Sequence, residues 1–203
     1  MCKQTNHYRQ IFLPVVLLAA AIAGCGKDKD AADTALPAYQ IQHSEKLAIP
    51  SAVDLNNLPG GSTRLATYFA RGVQKYKAQP KAGTNPVTYE WVFMVPEASL
   101  FDISNKKIGT HGAGPFWELS PGDSIFGQHF APARTAPSPG GNSIDWLLLQ
   151  PKAGKTPTGF FAHVAYIQRI ATTGGKAPAQ LPLHANETAN SNYTAIYRFS
   201  KKN

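Results

Sequence analysis

The sequence predicts an all-β protein: an antiparallel β-sandwich of about eight strands, with a β-barrel as the alternative. Three observations point there. Hydrophobic residues make up 43% of the 203 and charged residues only 16%, a globular balance with enough apolar side chains for one core. The apolar residues fall in short runs, several alternating with polar residues at the period of a strand. Sixteen prolines and seventeen glycines punctuate those runs and leave no convincing helix. Short strands with turn signals between them belong to sandwiches and barrels.

The first element is not part of that fold. MCKQTNHYRQIFLPVVLLAAAIAG reads as a bacterial leader, with Lys3 and Arg9 as its positive start. The apolar run over 11–22 is shorter than the ~20 residues that span a bilayer. It ends in Ile22-Ala23-Gly24-Cys25, which resembles the lipobox of bacterial lipoproteins. That resemblance implies cleavage before Cys25 and a diacylglyceryl group, with further acylation such as palmitate, on the new N-terminus. Two or more chains, at ~0.8 kcal/mol per buried methylene, anchor a protein where one does not. The competing reading is an ordinary secretory cut after Ala21-Ile22-Ala23. It would leave an unpaired thiol, since Cys2 and Cys25 are the only cysteines. Gly26 after the cysteine, by resemblance to bacterial lipoprotein sorting, implies the outer membrane.

The expected organisation is a signal peptide over 1–24, a lipidated N-terminus and flexible tether over 25–46, and a β-domain over 47–203. KDKDAADT at the head of the tether is polar and small, as a solvated spacer is. Without the leader the chain has 18 basic and 12 acidic residues, a net charge of +6. That favours anionic partners, but the basic residues are scattered, so solubility is the simpler reading and no nucleic acid is expected.

The strands are expected in this order. YFARGVQKYKA (68–78) alternates, with Tyr68, Ala70, Gly72, Gln74 and Tyr76 on one side. VTYEWVFMV (87–95) is apolar on both faces and reads as a central strand. Segments 99–103, 115–119 and 124–130 follow, then IDWLLLQ (144–150), FFAHVAYIQRI (160–170) and YTAIYRF (193–199). No internal repeat is apparent.

The motifs in order identify a resemblance. They are Gly72-Val73-Gln74-Lys75-Tyr76, Tyr89-Glu90-Trp91, Pro96-Glu97-Ala98-Ser99-Leu100-Phe101, Gly109-Thr110-His111 with Gly114-Pro115-Phe116-Trp117-Glu118, Trp146-Leu147-Leu148-Leu149, Tyr166-Ile167-Gln168-Arg169 before Gly174-Gly175-Lys176-Ala177-Pro178, and Tyr193 to Phe199. From about Leu47 to Ser200 the chain resembles the domain of unknown function 3455, found in secreted or envelope proteins of bacteria and fungi. The family implies no established activity. A dehydrogenase label on some fungal members has no support here, because no G-x-G-x-x-G follows a strand. The resemblance also implies, in many members, a cysteine two residues after the tyrosine of G-V-Q-x-Y and another shortly after G-G-x-x-P. Here those places hold Ala78 and the region of Leu181 and Pro182. A lost bridge costs ~2–5 kcal/mol, so packing must hold those segments.

The best candidate binding site is GTHGAGPFWE (109–118): His111, Gly112, Gly114, Trp117 and Glu118. A turn centred on Ala113-Gly114 places His111 near Trp117 across a hairpin. The indole then offers a stacking face to a sugar ring or base, the imidazole a polar contact, and the glycine amides an anion cradle. Glu118 points to the opposite face from Trp117. The simpler alternative packs Trp117 in the core and bonds His111 to a loop carbonyl. No metal or cofactor is expected: His111, His129, His163 and His184 are widely spaced, and His163 reads as a half-buried strand residue. Asp123, Ser124 and His129 lack a G-x-S-x-G elbow, and Ala153-Gly154-Lys155-Thr156 lacks the first glycine of a P-loop. Catalytic residues are therefore not assigned. Three functions follow: a lipid-anchored, non-catalytic module binding an envelope glycan, anionic polymer or protein; an envelope hydrolase pairing His111 with a nearby carboxylate; or a purely structural envelope protein.

Overall fold

The structure, a computed structural model, describes residues 47–203. The leader, Cys25 and the tether lie outside them. Eight strands follow one another: β1 (Ser62–Pro80), β2 (Tyr89–Phe101), β3 (Lys107–Gly112), β4 (Phe116–Ser120), β5 (Asp123–Ala136), β6 (Trp146–Pro151), β7 (Tyr166–Gly174) and β8 (Thr188–Lys202). The regular elements besides these are short 3-10 turns. Each strand pairs antiparallel with the next, and β8 pairs with β1, so one sheet closes into a ring. The all-β, eight-strand antiparallel expectation holds.

Alternation decides what faces inward. Ala70, Leu100, Trp117, Ile125, Leu149, Ile167, Tyr197 and Phe199 meet inside the ring as one buried cluster. Fully burying an aliphatic side chain such as Leu100, Ile125 or Ile167 is worth ~1.5–3 kcal/mol. Gly72 lies on the inward face of β1, where a Cβ would sit 2.1 Å from the Glu97 carbonyl oxygen of β2. The two backbones come too close for any larger residue.

The ring is also covered outside. Val53, Leu55 and Leu58 pack with Phe69, Trp146, Leu148, Ile170 and Ile196, the outward residues of β1, β6, β7 and β8. The Gln168 side-chain amide donates to the Val53 carbonyl at 2.6 Å and pins this clamp. Several strands are therefore apolar on both faces.

Four expectations are corrected. The run 160–170 is not one strand: Gly159–His163 is a 3-10 turn, and β7 begins at Tyr166. Phe161 from that turn packs 5.0 Å from Phe199 and plugs one end of the ring. His163 consequently lies exposed in the turn rather than half-buried in a strand. Segment 99–103 is not a separate strand but the end of β2, which passes through Pro96 beside a register shift between Lys75 and Tyr76. Nor is β2 buried on both faces, since Phe93 and Met94 are each 47% exposed at the open end of the ring. β3 is the hairpin arm that carries His111; the turn at Ala113-Gly114 implied it, although Gly109 keeps its residues from alternating.

The positions that lack the family's cysteines are held by other contacts. Ala78 is buried; its amide donates to the Glu187 carbonyl at 2.8 Å, and its carbonyl accepts from Asn186. The Trp91 indole N–H donates to the Gln180 carbonyl at 2.8 Å. The Glu187 carboxylate caps the Leu183 and His184 amides. Together these tie the β7–β8 connection to β1 and β2.

Candidate functional site

The β3–β4 hairpin sets the site. Gly114 takes φ +134° in its turn, and His111 pairs directly with Trp117. The two rings stack with centroids 4.6 Å apart and planes 17° from parallel. Tyr197 of β8 packs against both, 5.0 Å from the imidazole and 5.2 Å from the indole. Glu118, one residue on, pairs with Thr110 and does not join them.

His111 Nδ1 lies 2.8 Å from the Phe116 carbonyl oxygen, so Nδ1–H donates and Nε2 is the acceptor nitrogen. Burial pushes the imidazole down from 6.5 to about 4; the Phe116 carbonyl opposes this and the Arg169 charge adds to it. His111 is therefore neutral at pH 7.

Above these rings lies a cavity of about 280 Å³, at the end of the ring where the β3–β4 turn sits. Pro96, Leu147 and Leu149 give it apolar walls, and Phe93 and Met94 form part of its rim. Polar side chains also line it: Gln74, His111, Gln128, His129, Arg169 and Tyr197. Gly114 lines it as well; Gly112 does not, and a Cβ on Gly112 would meet the Phe116 ring at 2.6 Å. Among the described residues no carboxylate lines the cavity, so the acid that a His111-based hydrolase needs is not beside it.

Three lining side chains carry a buried polar atom without a hydrogen-bond partner: Gln74 Nε2, Trp117 Nε1 and the Tyr197 hydroxyl. The Tyr193 hydroxyl is in the same condition. Loose side-chain hydrogen bonds link Tyr193 to Tyr197 and Gln74, and Tyr197 to Arg169, but none has the geometry of a full bond, so these atoms are under-satisfied. Burial raises both phenols above their ordinary value of 10. Buried polar groups are nearly always satisfied, so such a cluster calls for an explanation.

Arg169 is the residue that sequence reading left without a role. It pairs with Leu147 of β6 and shares the inward face with Ile167. Its Nε and Nη2 both donate to the Asp145 backbone carbonyl, at 3.1 and 2.8 Å. Elsewhere, Asp123 and Ser124 begin β5 far along the strand from His129, and the Ser124 amide bonds Thr158. Among the described residues no three of His, Cys, Asp and Glu gather into a metal site.

A family profile described as "Protein of unknown function (DUF3455)" matches residues 59–201. The chain belongs to this family. No curated protein and no solved structure matches the chain. The DUF3455 span contains every residue that lines the cavity, whereas the outer clamp of Val53, Leu55 and Leu58 precedes it.

Proposed function

We propose that this chain is a lipid-anchored envelope lipoprotein whose DUF3455 domain is a non-catalytic binding module. The anchor rests on the sequence Ile22-Ala23-Gly24-Cys25 behind a leader of the right length and charge, with Gly26 favouring the outer membrane. The binding role rests on one observation: a cavity at the ring's end whose wall holds polar atoms that the protein itself leaves unpaired. A ligand with oxygen acceptors supplies the missing partners for Gln74, Trp117 and Tyr197. The cavity admits a small molecule or the end of an envelope glycan, with the His111–Trp117 stack beneath it.

Two measurements test this. Cys25→Ser should release the protein from the membrane fraction and abolish lipid labelling; a variant still labelled there refutes the anchor. A thermal-shift screen against wall and lipopolysaccharide fragments and small organic acids should find a stabilising ligand whose effect is lost in Gln74→Leu. If no compound shifts the wild type, or every shift survives that change, the cavity is not the binding site.

A further inference from the structure

Among the described residues Arg169 is the only Asp, Glu, Lys or Arg side chain that lines the cavity. Among the described residues the one ion pair joins Lys75 to Glu97, so no carboxylate answers this guanidinium. Its two bonds to the Asp145 carbonyl fix its orientation without neutralising its charge. The groups around it do not neutralise it either: His111 of β3, Tyr76 of β1, and Tyr193 and Tyr197 of β8 all feel its field, and none is an anion at neutral pH. A half-buried, unpaired cation in apolar walls is costly unless something negative joins it.

The surroundings say what shape that anion has. Among the described residues seven large apolar side chains are exposed. Val87, Phe93, Met94, Leu181 and Leu183 belong to the cavity end, on the β1–β2 loop, the start of β2 and the β7–β8 connection. Only Ile103 and Phe160 lie at the other end. The Trp91–Gln180 bond holds the segment before Leu181 against β2, close to Phe93. The cavity is thus a charged pocket with a greasy rim, just under the size of typical drug-sized sites.

We propose that the cavity takes an anionic amphiphile, a monocarboxylate whose head group meets Arg169 and whose apolar body runs out over Phe93 and Met94. One cation matches one negative charge; a phosphate dianion would need a second, and among the described residues no other Lys or Arg lines the cavity. The Tyr197 hydroxyl and the Gln74 amide, neither with a well-aligned partner, are further donors for the carboxylate oxygens. This assignment rests on the cavity being the binding site, and it adds the class of ligand.

Calorimetry with octanoate, octanamide and acetate tests it on the unmodified protein. Octanoate should bind roughly ten- to a hundredfold more tightly than octanamide, the difference a charge-assisted bond makes, and acetate should not bind measurably. Arg169→Gln should abolish the preference for octanoate over octanamide, weakening the acid far more than the amide; Arg169→Lys should keep the preference for the acid. Equal binding of octanoate and octanamide by wild type overturns the anion but leaves a cavity that binds. Octanoate binding no tighter than acetate overturns the apolar body. Failure of all three overturns the ligand class, while the wider fragment screen decides separately whether the cavity binds anything.

Discussion

Acid should weaken this domain through a single imidazole. His111 is 3% exposed, and its proton affinity drops from 6.5 to about 4 in the fold. The unfolded chain takes up the proton as the pH falls through 6.5, whereas the native state resists it until about 4. The stabilisation from keeping His111 neutral is therefore complete above 6.5, shrinks across the window from 6.5 to 4, and is gone below it. At ~1.4 kcal/mol per pH unit the total is about 3 kcal/mol, a large part of a typical domain's ~5–15 kcal/mol. The comparison variant is His111→Asn, whose side-chain amide can still donate to the Phe116 carbonyl while carrying no titratable group. Urea unfolding of both proteins at steps from pH 7.5 to 4 separates this effect from carboxylates such as Glu97 and Asp102, which titrate in both. Wild type should begin more stable, because asparagine loses the stack on Trp117, and its advantage should shrink by about 3 kcal/mol on acidification. Two parallel curves would refute the reasoning: His111 would then titrate alike folded and unfolded.

Other changes have definite expected outcomes. Trp117→Ala removes the ring that stacks on His111 and meets Tyr197 and Phe199 edge-on, and should cost ~3–5 kcal/mol in chemical denaturation; a loss under 1 kcal/mol would mean the inner core tolerates the hole. Gly72→Ala drives a methyl into the Glu97 carbonyl and should lower the melting temperature by several degrees, with amide exchange accelerated along β1 and β2. Gln74→Leu removes a buried amide nitrogen that has no partner, so the empty protein should be as stable as wild type or up to ~1–3 kcal/mol more so. The same variant should bind its ligand less well, and a destabilised variant would show that the amide is satisfied in the native state.

Much of this was legible in the residues. The split of YFARGVQKYKA into two faces is the one that β1 adopts: Tyr68 and Ala70 join the inner core, and Gln74 lines the cavity. Gly112 and Gly114 announced the turn that brings His111 against Trp117. Phe160 and Phe161 misled because their run continues the strand period, yet the chain there bends across the ring's end, and turns of that kind leave no mark on alternation. Segments 87–95 and 99–103 read as two strands, yet one strand runs through both, with Met94 bulged out and Pro96 kept in register opposite Gln74. Arg169 was hidden for a different reason. Ile167 and Ile170 lie on opposite faces of β7 and are both fully buried, one inside the ring and one beneath the outer clamp. Periodicity cannot say which side faces in when both sides are covered.

The return of β8 to β1 closes the ring, yet residues 89–97 of β2 pair on one side only, with β1, because the ladder to β3 begins at Ala98. Exposed borders are where extended peptides are captured and where neighbouring molecules zip together into fibres. Around the closed part of the ring a neighbouring molecule meets side chains and loops, and the start of β2 is where backbone groups are left to pair.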